Sequence, residues 1–140
     1  ANPNDTEINS ETTIWMSNHS NNYEKIKLFI EFGANLNQNF SYYPGNTLLH
    51  EFSKFNEKEY HKFVKLLVDN GADINVKNDL GQTPLFTSVE NDREINMEYF
   101  INKGADINLI DKNGNTPLIL AVKAKNKQSV EILLKHNADK

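Results

Sequence analysis

The chain contains no cysteine, and Arg93 is the one arginine among its 15 basic residues. Without cysteine it can form no disulfide, no thiolate metal site and no cysteine nucleophile. That composition suits a reducing compartment, and a cytoplasmic setting is expected. With a single arginine, bidentate reading of phosphate or guanine is nearly closed to it. Nineteen acidic residues leave a net charge of −4, so no basic footprint for nucleic acid is present. Long apolar runs of the roughly 18 residues that cross a membrane are also missing, as is a signal-like apolar stretch. Neither nucleic acid nor membrane is therefore an expected partner.

The constellations of catalysis are missing too. His19, His50, His61 and His136 are scattered, with no i, i+4 pair and no His-Glu-x-x-His pattern. No Gly-x-Ser-x-Gly, P-loop or Gly-x-Gly-x-x-Gly occurs. Function has to be argued from a site, and these residues supply no catalytic, cofactor-binding or metal-ligating one. The reading is a non-enzyme without cofactors. Abundant Asn, Lys and Ile reflect an AT-rich coding sequence, and the Asn-x-Ser/Thr triplets at Asn4, Asn18 and Asn39 follow from the asparagine excess.

What is present is a phrase that recurs. Gly33-Ala34-Asn35-Leu36-Asn37, Gly71-Ala72-Asp73-Ile74-Asn75, Gly104-Ala105-Asp106-Ile107-Asn108 and Asn137-Ala138-Asp139 start 38, 33 and 33 residues apart. A second phrase keeps step: Gly45-Asn46-Thr47-Leu48-Leu49-His50, Gly81-Gln82-Thr83-Pro84-Leu85-Phe86 and Gly114-Asn115-Thr116-Pro117-Leu118-Ile119. Self-similarity at such a period marks a stack of supersecondary units, none of which can bury its apolar face alone.

Each unit reads as two short helices and a turn. Thr83 is an N-cap, Pro84 is preset for the first helical turn, and Leu85, Phe86 and Val89 give an apolar face. Asn91-Asp92 interrupts this helix. Ile95, Met97, Phe100 and Ile101 mark a second one, ended by Gly104 as a left-handed cap. Asp111-Lys112-Asn113-Gly114 supplies turn chemistry. In the next unit Ala121 and Val122 pack in the first helix, Lys125-Asn126 breaks it, and Val130, Leu133 and Leu134 carry the second.

The unit before lacks the proline and has Leu48 there. Its inter-helix loop reads as three residues longer, the extra length absorbed by longer helices or by a loop around Asn56-Glu57. Counting back from Gly33 places a degenerate first unit at Thr12-Thr13-Ile14-Trp15, with Ile26, Phe29 and Ile30 in its second helix. The organisation is a tail at 1–10, a degenerate first unit at 11–36 and a unit with an extended finger at 37–74. Two regular units follow at 75–107 and 108–140, the last truncated at its end. The chain opens on Ala1 and stops inside a fourth copy of the phrase, as a fragment of a longer protein would.

Both phrases resemble the ankyrin repeat over about 130 residues. The resemblance implies an all-α solenoid of about four helix-turn-helix repeats with β-turn fingers, whose fingers and first helices line a concave groove. It implies a non-catalytic protein-binding module, monomeric when unbound. His50 matches the structural histidine of the repeat, bonded to a neighbouring finger. The family's glycine between the two helices is absent from every unit.

A protein partner would meet the groove and the finger tips. Phe40, Tyr42 and Tyr43 crowd the long second finger as contact residues or as a cover for the weak first repeat. Trp15 lines the groove or caps the end. Lys77, Asp79, Leu80 and Gln82 match the variable tip positions of one finger, and Ile110, Lys112, Asn113 and Asn115 those of the next. Leu80 and Ile110 pack between fingers or join Tyr42 and Tyr43 in an apolar stripe. Glu90, Asp92, Glu94 and Glu98 face Lys123, Lys125 and Lys127, as solvated helix ends or as a steering patch. Gly33, Gly71 and Gly104 are expected to allow close approach of helix and loop.

In composition and domain style the chain also resembles ankyrin domains of secreted pathogen effectors such as the OspC-like group, which capture a host caspase for modification. On that resemblance the domain acts in the host cytosol as the substrate-capturing arm of a larger virulence enzyme, with catalysis elsewhere.

Overall fold

In the computed structural model of the chain, residues 22–39, 44–56 and 58–138 are described. The predicted tail at 1–10, the start of the first unit with Trp15, His19, and Phe40, Tyr42 and Tyr43 lie outside the described residues.

Among the described residues are seven helices and no strand: α1 (Asn22–Glu31), α2 (Leu48–Ser53), α3 (Lys58–Asp69), α4 (Pro84–Glu90), α5 (Glu94–Asn102), α6 (Pro117–Lys123) and α7 (Lys127–Lys135). They pair as α2–α3, α4–α5 and α6–α7. The first helices α2, α4 and α6 pack side by side in one layer, and the second helices α3, α5 and α7 form another. The fold is an all-α repeat solenoid.

Each first helix starts where the sequence places it. Thr47, Thr83 and Thr116 are extended, with φ of −92, −91 and −87°, and Pro84 and Pro117 open their helices. The Thr116 hydroxyl accepts the Ile119 N–H at 3.2 Å. In α2, which lacks the proline, the Thr47 N–H instead donates to His50 Nδ1 at 3.1 Å.

The turn between helices is made without glycine. Asp92 and Lys125 enter the left-handed region at φ 56 and 57°, where side chains are disfavoured. They are held there by the next residue, since the Arg93 N–H reaches Ser88 O at 2.8 Å and the Asn126 N–H reaches Ala121 O at 2.9 Å. The second helices end as expected. Ala72, Ala105 and Ala138 donate to the carbonyls of Leu67, Phe100 and Leu133 at 3.0, 2.9 and 3.0 Å, satisfying groups that a helix end leaves open.

The core runs between the two layers. Leu49, Val64, Leu67, Leu85, Phe86, Met97, Phe100 and Leu133 are fully buried, and Ile26 continues the line into α1. Three expected packing residues do not belong to it: Ile95, Val122 and Leu134 are exposed. Each sits at a helix position that points off the core stripe or, for Val122, past the last covered face. The extra length of the second unit goes into α3, which has 12 residues against nine in α5. The longer helix carries Tyr60 and Phe63, whose rings meet Phe55 and Phe52 at 4.4 and 4.8 Å.

Candidate functional site

The two fingers that are described in full are each folded by one side chain. Asn78 Oδ1 accepts the N–H groups of Leu80 and Gln82, both at 3.0 Å, while the Asn78 N–H donates to Gln82 O at 3.0 Å. Asp111 does the same one unit on, taking the N–H groups of Asn113 and Asn115 at 2.9 Å. These are Asx turns, the reason Asn and Asp stand at that position. Burial alone would raise the Asp111 carboxyl. Hydrogen bonds from the Asn115 N–H, the Gln82 and Asn115 amides and the Asn113 N–H outweigh it and hold the carboxyl below its ordinary value.

Adjacent fingers are bonded to one another. The Asp79 N–H donates to Pro44 O at 2.7 Å, and the Lys112 N–H to Leu80 O at 2.9 Å. Asn78 Nδ2 donates to Asn46 Oδ1 at 2.9 Å, and Gln82 Nε2 to Asp111 Oδ2 at 3.2 Å. A Cβ at Gly81 would stand 3.2 Å from the Lys112 nitrogen, so this glycine is needed for close approach. That corrects the expectation for Gly33, Gly71 and Gly104, where a Cβ would meet nothing within 4 Å. They are needed for their positive φ alone.

The Gly-Ala-Asp-Ile-Asn phrase has its own logic. The Asn75 N–H donates to Asp73 Oδ1 at 2.9 Å, and Asn75 Oδ1 then accepts the Asp106 N–H of the next unit at 2.9 Å. Asn37 accepts from the Asp73 N–H in the same way. The third residue shapes the loop and the fifth links it to its neighbour.

Around these fixed turns, the candidate contact residues divide. Lys77, Asp79, Ile110, Lys112 and Asn113 are exposed on the fingers, and Leu80 is half-buried. Gln82 and Asn115 are not tip residues. Both are buried at the finger bases, where their amides bond inside the protein. Leu80 and Ile110 do not share a row either: counting along the period, Leu80 corresponds to Asn113 and Ile110 to Lys77.

A second set of groups stands where fingers meet first helices. Gln82 Nε2 donates to Glu90 Oε1 at 3.2 Å, Lys123 Nζ to Asn115 Oδ1 at 2.7 Å, and Asn46 Nδ2 to Glu51 Oε1 at 2.7 Å. Lys54 Nζ lies 2.9 Å from the Glu51 carboxylate. Burial raises the Glu90 carboxyl above its ordinary value, and Asp111 adds to the rise while the Gln82 amide opposes it. The row therefore reads Lys54, Glu90, Lys123 from unit to unit, each charge held near a finger base. The charges are plain in the sequence, but their anchoring is not. The one signal for it is the common eight-residue spacing of Asn46–Lys54, Gln82–Glu90 and Asn115–Lys123.

Among the described residues no ion pair joins Glu90, Asp92, Glu94 or Glu98 to Lys123, Lys125 or Lys127. Glu98 pairs with Lys135 at 3.6 Å and His136 at 2.8 Å, and Lys127 lies 4.0 Å from Glu131. Glu90, Asp92 and Glu94 occupy positions that match Lys123, Lys125 and Lys127 one unit on, whereas Glu98 matches Glu131.

His50 is structural, as the repeat resemblance implied: its Nε2 lies 2.8 Å from Gln82 O in the next finger. Among the described residues no three His, Asp or Glu side chains gather as metal ligands, and no helix is long and apolar enough to cross a membrane.

The family model for ankyrin repeats, in three copies, matches residues 53–140. No curated protein matches the chain. Phased fingers, paired helices in two layers and a matched region of more than half the sequence lead to one assignment: the chain belongs to the ankyrin-repeat family.

Proposed function

We propose that this chain is a non-catalytic recognition module, as ankyrin repeats in general are protein–protein interaction modules, binding a protein partner across the face between its fingers and first helices. The observation that carries this reading is the finger row. Its backbone is fixed by bonds from Asp79 to Pro44 and from Lys112 to Leu80, while Lys77, Asp79, Ile110, Lys112 and Asn113 stay exposed. A surface already ordered loses little entropy on binding. Beneath it the alternating Lys54, Glu90 and Lys123 supply charges that discriminate between partners. Trp15, Phe40, Tyr42 and Tyr43 complete the proposed contact set as aromatic anchors. The setting is a monomer in cytosol, with a cytosolic or host protein as partner.

The test is affinity capture from eukaryotic cytosol, read by mass spectrometry. Parent chain is compared with Tyr42→Ala/Tyr43→Ala and with Lys77→Glu/Lys112→Glu, all checked for unchanged melting. A protein held by the parent and lost by both variants supports the finger row as the site. A partner held equally by all three removes it. The narrower proposal, a substrate-capturing arm of a pathogen effector that modifies a host protein such as a caspase, uses the same face. It requires a folded catalytic domain elsewhere in the reading frame, and a full-length protein without one would end it.

A further inference from the structure

We propose that the third and fourth units form a bipolar docking surface along the face between fingers and first helices. Its occupant is an extended protein segment that lays a basic block on the third unit and an acidic block on the fourth. This occupant deepens the recognition reading above and rests on it.

Charge inverts from one unit to the next. On the fingers, Asp79 corresponds by period to Lys112. At the ends of the first helices Glu90 corresponds to Lys123, and around the turns Asp92 and Glu94 correspond to Lys125 and Lys127. All but half-buried Glu94 are exposed. Like charges match only in the second helices, as Glu98 and Glu131, and in the phrase after them, as Asp106 and Asp139. Two cations interrupt the acidic series in sequence. Arg93 Nε turns to Lys54 O of the second unit at 2.6 Å, and Lys77 matches uncharged Ile110.

Helix stability does not account for this placement. Glu94 in the first turn of α5 and Lys123 in the last turn of α6 suit the helix macrodipole. Glu90 ends α4 and Lys127 opens α7, where each charge opposes it. Glu90 and Lys123 are also held in place, by the Gln82 amide at 3.2 Å and by Asn115 Oδ1 at 2.7 Å. Charges fixed in advance cost less to order on binding.

The two stripes keep their signs, because no ion pair joins them among the described residues. First helices α4 and α6 pack side by side, and packed helices stand about 8–10 Å apart. That is roughly one screening length at physiological salt. A nucleic acid or an anionic membrane brings one sign only and is repelled by the third unit, whereas a polypeptide can carry both. An extended chain rises about 3.3 Å per residue, so the centres of its two blocks lie about three residues apart.

The probes are labelled peptides with a Lys-Lys-Gly-Glu-Glu core and with the alternating form of equal composition, Lys-Glu-Gly-Lys-Glu. The chain should bind the blocked peptide about five-fold or more tightly at low salt, and the preference should shrink as salt rises. Asp79→Lys/Lys112→Asp/Asp92→Lys/Lys125→Asp mixes the signs within each stripe at unchanged net charge and should abolish the preference. Asp92→Asn/Lys125→Asn, with residues that accept the left-handed turn, should reduce it with unchanged melting. Equal binding of the two peptides by the parent would overturn the proposal, as would a preference that survives in both variants. A cytosolic partner lost in Tyr42→Ala/Tyr43→Ala yet held equally by the parent and by Asp92→Asn/Lys125→Asn would keep the recognition reading and overturn this one.

Discussion

His50 Nε2 donates to the carbonyl oxygen of Gln82 across the boundary between two units, at 2.8 Å. The direction follows from the other ring nitrogen. Nδ1 accepts the Thr47 N–H at 3.1 Å, a group that can only donate, so the proton of the neutral ring is on Nε2. One imidazole thus caps its own helix and clamps the second unit to the third.

That clamp should make stability fall in mild acid. Burial pushes the His50 imidazole down from 6.5 to about 4, so below pH 6.5 the unfolded chain binds the proton more readily than the folded one. The contribution is full above pH 6.5 and is lost as pH falls towards 4, by about 3 kcal/mol in all. Urea unfolding at pH 7 and pH 4.5 should show this component in the parent and not in His50→Gln. An equal pH dependence in both would place the acid sensitivity elsewhere.

Two asparagines three residues apart should differ in cost. Asn78 is buried, folds its finger through two N–H groups and reaches Asn46. Asn78→Ala leaves those groups unpaired and should cost about 2–3 kcal/mol. Asn75 makes its unit-to-unit bond near solvent, where water replaces it, and Asn75→Ala should cost about 1 kcal/mol or less. The comparison of the two unfolding midpoints is the check, and equal costs would contradict the burial argument.

The glycine-free turns hold strain that can be relieved. Lys125→Gly should stabilise by about 0.5–1 kcal/mol, because a Cβ at positive φ costs energy in the folded state that exceeds the added freedom of glycine in the unfolded one. Asp92→Gly should gain less, since aspartate tolerates the left-handed region better. A destabilised Lys125→Gly chain in thermal unfolding would show that the lysine side chain has a compensating contact.

Leu133, Val130 and Val122 grade the packing of the last unit. Leu133 is fully buried, and Leu133→Ala should cost about 2–4 kcal/mol through the cavity it leaves. Half-buried Val130 should cost about 1 kcal/mol on truncation, and exposed Val122 within about 0.5 kcal/mol. Any other order of the three melting temperatures would break the register described for α6 and α7.

The period, the helix starts at Thr83-Pro84 and Thr116-Pro117, the cap at Gly104 and the core pair Met97–Phe100 are all legible in the chain of residues alone. These rest on local chemistry repeated at a fixed spacing, which periodicity averages and makes plain. Less legible are the roles inside the repeated phrases. Nothing local separates Gln82 from Lys77 as finger residues, yet one is buried among amides and carboxylates and the other faces solvent. Likewise Val122 and Val89 are the same residue at the same register, and only the presence of a neighbour distinguishes them.

By itself, then, the sequence determined that this is a stack of ankyrin units, because turn, cap and helix signals depend on residues close together in the chain. The tertiary structure alone decided which polar groups join units and which remain exposed. Those outcomes depend on pairs about 30 residues apart, such as His50 with Gln82 and Asn75 with Asp106, that meet only when one unit is laid against the next.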